Sequence, residues 1–393
     1  MKDLWLLLLP LVASFGWVAG NQSKRSARIR KKPQKLPKDY LQGLNYLLNE
    51  EPDKAVDLFI KMLEVDSDTV ETHLALGNLF RRRGEVDRAI RVHQNLIARP
   101  KLQTEYRMQA LLALAQDYLS AGVLDRAERL FLELVDLGKY VRTSLKSLQS
   151  IYEQEKDWNK AMTTAQQLVS KTKDDLHIPL SNYCCELASQ ALEKNAIDHG
   201  MQYTKRALFY DKNSARASLL LSKIYLKLNR PQIALRHLKQ IKEQDSDYFS
   251  EAIEPISKIY LSLGKRETLI KYLTKVLAEF PKMPSALKLA GTLKLQNDTS
   301  MLNLMTDHLR KNPSIAGLHY LIELQLGLKD EQAKEDLEIL RGLAQKLQAE
   351  YPDYQCKNCG FMGKDLHWQC PSCRQWNTMK PSYVLENEAD RSA

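Results

Sequence analysis

Apolar and polar positions along this chain follow three rhythms in turn. From Leu4 to Gly20 apolar residues run almost unbroken, and no charge occurs between Leu4 and Ser23. Twenty helical residues at about 1.5 Å each reach roughly 30 Å, the hydrocarbon thickness of a bilayer. From residue 39 to about residue 350 the pattern becomes that of amphipathic helices, which bury one face and wet the other. Beyond residue 350 helical periodicity stops, and cysteines and aromatic residues dominate.

Within the second region the pattern repeats with a period close to 34 residues. Ala55 to Ala89, Ala127 to Ala161 and Gly200 to Ala234 are each 34 residues apart. The clearest copies place Gly77, Phe80, Gly84 and Ala89 at the same relative positions as Ala115, Tyr118, Gly122 and Ala127. Tyr152 with Ala161, Tyr225 with Ala234, and Tyr260 with Gly264 and Leu269 are further copies; Gly43, Tyr46, Ala55 and Phe59 make the first. This resembles the tetratricopeptide repeat, in which two antiparallel helices approach through small residues and fill the gap to the next repeat with large ones. One copy cannot bury its apolar face alone, so stacking builds a right-handed solenoid with a concave groove.

Turn segments such as Glu85-Val-Asp87 and Asn229-Arg-Pro231 separate the helices of a unit, with Pro231 suited to a first helical turn. Insertions near Pro100 to Gln103 and Lys171 to His177 stretch the period and should be loops or helix extensions. Pro255 falls inside a first helix, which should start late or bend there. Past residue 282 the markers fade, while Leu287 to Leu295, Ser300 to Lys311, Ile315 to Leu328 and Glu331 to Glu350 still read as amphipathic helices. Eight or nine helical pairs result, and Cys184 and Cys185 fall in the fifth repeat's first helix as ordinary buried thiols.

Charge sharpens the reading of the N-terminus. Lys24, Arg25, Arg28, Arg30, Lys31, Lys32, Lys35 and Lys38 follow the apolar run with no acidic residue among them. A cleaved signal peptide would carry its positive charge ahead of the run, where Lys2 is offset by Asp3. The positive-inside rule therefore predicts an uncleaved anchor with everything after it in the cytoplasm. The basic block accounts for most of the formal net charge of +10, so the body is nearly neutral. That excludes a general nucleic-acid binder and favours anionic lipid headgroups as partners of the block. Gly16 and Gly20 form a G-x-x-x-G step on which two anchors can pack as a homodimer.

The third region carries the strongest chemical signal. Cys356, Cys359, Cys370 and Cys373 form a C-x2-C, x10, C-x2-C pattern, the spacing of one tetrahedral thiolate site for iron or zinc. Disulfides and a thioredoxin-like redox pair are the competing readings. A redox pair belongs to a strand-helix-strand pattern that is missing here, and a cytoplasmic location disfavours disulfides. Four thiolates close the shell, which makes the site structural or electron-transferring and leaves His367 at the surface or beside the ligands. Tyr354, Phe361, Trp368 and Trp376 should cover the ion. A unit of about 30 residues lacks the core to fold unaided, so the metal holds it together.

No Walker loop, G-x-G-x-x-G, G-x-S-x-G or H-E-x-x-H motif occurs, and the eight histidines are scattered. The chain is therefore expected to bind proteins without catalysing a reaction. The repeat template predicts a groove lined by Leu74, Asn78 and Arg81, then Leu112, Gln116 and Leu119. Ser150 and Glu153 follow, and then Leu219, Lys223 and Lys227; the alternative for each is a contact with the next repeat.

The order of parts resembles the lipopolysaccharide assembly protein B family over essentially the whole chain. The predicted units are a transmembrane anchor over 1–23, a basic neck over 24–38, an all-α solenoid over 39–350, a rubredoxin-like metal domain over 351–385 and a tail over 386–393. Leu-Leu-Leu-Leu-Pro10 with Gly16-Trp17 and the neck match the family's start. Cys356, Cys359, Cys370 and Cys373 match its rubredoxin-type ligands, although the short interval between knuckles requires an abbreviated sheet. The resemblance implies an adaptor on the cytoplasmic face of the inner membrane that works with the protease FtsH to control degradation of the deacetylase LpxC. Two other functions fit the same parts. One is a scaffold gathering lipopolysaccharide synthesis or transport proteins; the other is a metal-based redox sensor. On the metal domain itself, the expectation is a cap packed on the last helices.

Overall fold

The computed structural model describes residues 70–100, 102–280 and 352–382, the helix Glu331–Glu350, and scattered positions between 41 and 58 and between 283 and 322. The predicted anchor, the neck and most of the first repeat lie outside these residues. Among the described residues no helix is long and apolar enough to cross a membrane. The chain divides into two compact units, Met1–Tyr140 and Val141–Ala393.

Unit 1 holds α1 (Val70–Arg82), α2 (Val86–Ile97), α3 (Thr104–Ser120) and α4 (Leu124–Asp136). Unit 2 holds α5 (Val141–Glu155), α6 (Trp158–Thr172), α7 (His177–Glu193), α8 (Ile197–Tyr210), α9 (Ala215–Lys227) and α10 (Pro231–Gln244). A 3-10 turn (Ser246–Phe249) leads into α11 (Ser250–Ser262), then α12 (Arg266–Glu279) and α13 (Glu331–Glu350). The two insertions fall at the loops before α3 and α7, with Lys171 and Thr172 lengthening α6. Pro231 opens α10, and α13 has the boundaries that its apolar pattern predicts.

The 34-residue period has a local cause. At each described turn between the two helices of a repeat one residue takes the left-handed conformation: Gly84, Gly122, Lys156, Asn195, Asn229 and Gly264. The next N–H reaches back five residues, as from Glu85 to Phe80 O (2.9 Å), Asp157 to Tyr152 O (2.9 Å) and Arg230 to Tyr225 O (2.8 Å). This is the Schellman closure, which satisfies the last carbonyls of one helix and reverses the chain into the next.

The second helices that follow these turns set the packing. Ala89, Ala127, Ala161 and Ala234 are fully buried at one equivalent position, which Gly200, also buried, occupies in its repeat. Gly77 shows how close the helices come: a Cβ there would lie 2.4 Å from His93 Nε2. The large partners Phe80, Tyr118, Tyr152 and Tyr260 are buried, and the hydroxyls of Tyr118 and Tyr260 accept from Gln94 Nε2 (2.7 Å) and Lys239 Nζ (2.8 Å).

Of the two outcomes expected at Pro255, the late start does not occur. The helix α11 starts at Ser250 and runs through the proline, so the proline does not set its start. The 3-10 turn Ser246–Phe249 comes before it, with Asp245 Oδ1 accepting from Asp247 N (3.2 Å). Cys184 and Cys185 are fully buried, and burial pushes their thiols up to about 11 and about 12. They are inert at neutral pH.

Candidate metal centre and its seat on the repeats

Three short strands frame the third region: β1 (Tyr354–Cys356), β2 (Met362–Gly363) and β3 (Met379–Pro381), antiparallel in the order β2-β1-β3. Cys356 ends β1, and its knuckle closes through Gly360 N donating to Cys356 O (2.9 Å) with Gly360 at φ +75°. The second knuckle repeats the form, Arg374 N donating to Cys370 O (2.9 Å) with Arg374 at φ +57°. The sheet is as abbreviated as the short interval between the knuckles requires.

The two knuckles bring all four thiol sulfurs within 4.8 Å of one another. Cys356 and Cys373 sulfurs are 3.7 Å apart, and those of Cys359 and Cys370 3.6 Å. A tetrahedron with metal–sulfur bonds of about 2.3 Å has edges of about 3.8 Å, so the donor set fits a tetrahedral iron or zinc ion. Burial disfavours the Cys356 thiolate. Hydrogen bonding with the Thr378 hydroxyl, 3.3 Å away, and donation from the N–H groups of Cys359 and Asn358 outweigh it and bring the thiol down to about 6. Burial pushes Cys370 up to about 12, against donors from Cys373 and Ser372, and the neighbouring sulfurs add to it. Four anionic sulfurs this close repel one another strongly, and a dication at their centre is what lets all four ionise together. His367 is exposed and outside the cluster.

Cys356, Cys370 and Met379 form the ribbon's small core, with Tyr354, Phe361 and Leu366 packed around it. Trp368 and Trp376, expected to cover the ion, turn instead to the repeats of unit 2. Trp376 lies edge-on to Trp158 (6.0 Å between centroids) and Tyr183 (5.9 Å). Trp368 packs on Tyr248 (4.9 Å), with the Arg216 guanidinium over its ring (5.6 Å). Aromatic and cationic groups thus join ribbon and helices where thirty residues alone have too little to bury.

Carboxylates of the repeats fix the polar edge. Glu153 Oε2 accepts from Gln369 Nε2 (2.9 Å), and its Oε1 accepts from Trp376 Nε1 (3.3 Å) and the Tyr183 hydroxyl. Burial, with Glu153 alongside, pushes the Tyr183 phenol far above its ordinary value. Lys380 Nζ pairs with Asp245 (2.7 Å) and Asp247 (3.4 Å) over the Tyr248 ring (3.8 Å), and Lys357 reaches Asp247 (3.6 Å). The Tyr354 hydroxyl donates to Glu251 Oε1 (2.7 Å), and Asn182 Nδ2 donates to Asn377 Oδ1 (3.2 Å). These contacts seat the ribbon on α5, the start of α6, α7, α9, the 3-10 turn with its cap Asp245, and α11. Leu366 and Trp368 also pack on the core cluster that runs from α10 through α12 to Met283 and Leu321, so the ribbon's described contacts reach from the middle repeats towards the later ones.

The other groove candidates divide by unit. In unit 1, Leu74 is buried with Val70, Leu96, Ala110 and Ala113. Arg81 joins Asn78 (2.8 Å), Gln116 (2.9 Å), Ala113 O (3.1 Å) and Asp117 (2.7 Å), so this set ties one repeat to the next. Leu112 and Leu119 are half-buried. In unit 2, Ser150 is half-buried and Leu219 packs on the core of α10 to α12. Lys223 is exposed, and Lys227 reaches Leu192 O and Asn195 Oδ1 at 3.4 Å.

Template placement misses two groups. The buried Asp117, held by Arg81 and by His93 Nδ1 (2.5 Å), has only an unusual acid at a helix-interior position as a signal. Trp158 at the start of α6, Tyr183 on α7, Asp245 and Asp247 at the 3-10 turn and Glu251 on α11 are legible only as an aromatic and acidic excess facing two spare tryptophans.

A family model described as a rubredoxin metal binding domain matches residues 354–381, and one described as a tetratricopeptide repeat matches residues 72–105. The lipopolysaccharide assembly protein B of Escherichia coli (strain K12) is 37% identical over 390 residues, covering 98% of this chain and 100% of that protein. The protein of the same name from Haemophilus influenzae is 34% identical over 391 residues, covering 97% and 98%. Among solved structures, a tetratricopeptide repeat protein from Parabacteroides merdae ATCC 43184 is similar at 14% identity, covering 70% of this chain and 100% of that chain, with a TM-score of 0.33.

Proposed function

This chain belongs to the lipopolysaccharide assembly protein B family, and on that premise we propose that it is a non-catalytic adaptor of lipopolysaccharide assembly. In this reading residues 1–23 hold it in the inner membrane with the repeats in the cytoplasm, where it brings an LpxC-type deacetylase to an FtsH-type protease. The observation that carries the reading is full-length similarity to family members, from the apolar start to the last cysteine.

Tethering supplies the mechanism. Confining the repeats to the membrane plane raises the effective concentration of a held client beside a membrane protease, without any new contact between the two. The client is held on first-helix residues that are not consumed by contacts between repeats, such as Leu112 and Leu119 in unit 1 or Lys223 in unit 2. Cys356, Cys359, Cys370 and Cys373 hold one iron or zinc ion, whose closed thiolate shell supplies a structural staple and no open coordination position.

The experiment is deletion of residues 1–23 in cells. The truncated chain is expected to stay helical and to capture the deacetylase, while the deacetylase half-life lengthens several-fold. Normal turnover with the truncated chain would remove tethering as the mechanism.

A further inference from the structure

The ribbon's seat has a one-way chemistry. Among the described residues, each contact to a carboxylate across it runs from a ribbon donor to an acid of the repeats: Gln369 and Trp376 to Glu153, Lys380 and Lys357 to Asp245 and Asp247, Tyr354 to Glu251. Three rings of the repeats, Trp158, Tyr183 and Tyr248, receive the two ribbon tryptophans. The ribbon binds as a ligand would, with lysines and indoles on its side and acids, aromatic faces and the Arg216 guanidinium over Trp368 on the other.

The occupant is also conditional. Its own core is three buried residues with a few half-buried neighbours, too little to define a fold without the metal. Trp376, Asn377 and Lys380 are presented by the chain that follows the second knuckle. Losing the ion removes the geometry that delivers all three together, while the seat belongs to helices whose packing does not involve the sulfurs.

We propose that the seat on α5, the start of α6, α7, α9, the 3-10 turn and α11 is a recognition surface for a basic, tryptophan-bearing segment of a partner protein, closed by the ribbon while its metal is bound. The inference rests on the four-thiolate reading and is independent of which client the adaptor delivers. With the ribbon in place the acids are neutralised and the rings covered. With the ribbon released, four carboxylates and three rings become available in one groove.

The test uses the full chain in detergent micelles and a fluorescent peptide spanning Gln369 to Ser382 with Cys370→Ser and Cys373→Ser, so that the probe carries Gln369, Trp376, Asn377 and Lys380 and holds no metal. Metal content is measured alongside, and circular dichroism checks that the helices persist. The chelated protein is expected to bind the peptide at least tenfold more tightly than the metal-loaded protein, and reloading with zinc should restore the weak binding. In the chelated state, Glu153→Gln together with Asp245→Asn should abolish most of that gain. Equal affinity in both states, absence of binding in both, or binding after chelation that ignores the two substitutions would each overturn the proposal. A purified chain devoid of iron and zinc would sink the metal reading itself, and that result is distinct from a failure of the seat.

Discussion

The repeats and the ribbon are held together by different physics, and each shows what the other lacks. A repeat spends its sequence on periodicity: fully buried Ala89, Ala127, Ala161 and Ala234 let helices approach, large residues fill the gaps, and a left-handed turn closes each pair. Stability accumulates along the stack, so no single residue decides the fold. The ribbon has no stack to share the load. Four sulfurs within 4.8 Å define its interior, and its tryptophans are lent to the neighbouring helices. Redundancy on one side and dependence on a few atoms on the other predict very different responses to perturbation.

The largest response should come from Cys356→Ser or Cys370→Ser. A structural zinc site contributes on the order of 10 kcal/mol to the fold it staples. Either variant is expected to lose its metal and the order of residues 352–382, while far-UV circular dichroism still reports the helices. Retention of stoichiometric metal in both variants would break the assignment.

Legibility in the sequence follows the same division. Helix period, Pro231 at the start of α10, the limits of α13 and the cysteine quartet are local patterns, and local patterns survive in a sequence. The docking of the ribbon is not local. Glu153 and Gln369 are 216 residues apart, and nothing in the repeat template distinguishes an acid that greets solvent from one that meets a tryptophan. Sequence alone assigns Trp368 and Trp376 to the metal because the metal is the nearest thing to cover. Pro255 misleads for the converse reason: propensity disfavours it inside a helix, while packing of Ile253, Ile256 and Ile259 in the unit 2 core keeps α11 going.

A middle-sized effect tests the close approach within a repeat. In Gly77→Ala the new methyl would meet the His93 ring at 2.4 Å, and that ring is anchored by Asp117. Overpacking of this kind costs about 1–3 kcal/mol. Thermal unfolding should move down accordingly, with metal content unchanged; an unaltered midpoint would mean that the ring relocates freely.

Acidity acts on the other side of the comparison. The Cys356 thiol lies below its ordinary value, at about 6, so its ionisation favours the folded ribbon most at pH values above its unfolded value of 9.0. That contribution diminishes on acidification and is lost as pH falls through about 6. Metal affinity is therefore expected to drop on acidification through the same range, as the thiolates take up protons. Thr378→Val removes the hydroxyl's hydrogen bond with Cys356, raises the Cys356 thiol and should move metal release to higher pH, as followed by a chelator-competition titration. Coincident release curves would show that the hydroxyl does not tune the site.

The smallest effect lies in the turns, where equivalent positions of different repeats provide a built-in comparison. Gly84 sits at φ +81°, and a Cβ added there would have nothing within 4 Å, so Gly84→Ala adds no clash and isolates the backbone term. A left-handed residue bearing a Cβ costs roughly 1 kcal/mol, and the melting midpoint should fall by an amount of that order. Lys156 already carries that cost at φ +57° in an equivalent turn of unit 2. Lys156→Gly relieves it at the expense of added freedom in the unfolded chain, and should stabilise by about 1 kcal/mol or less. Opposite signs for the two substitutions would establish that the turn geometry, and not the residue type, is what the repeat maintains. Equal signs would mean that neighbouring contacts of Lys156 matter more than its backbone conformation.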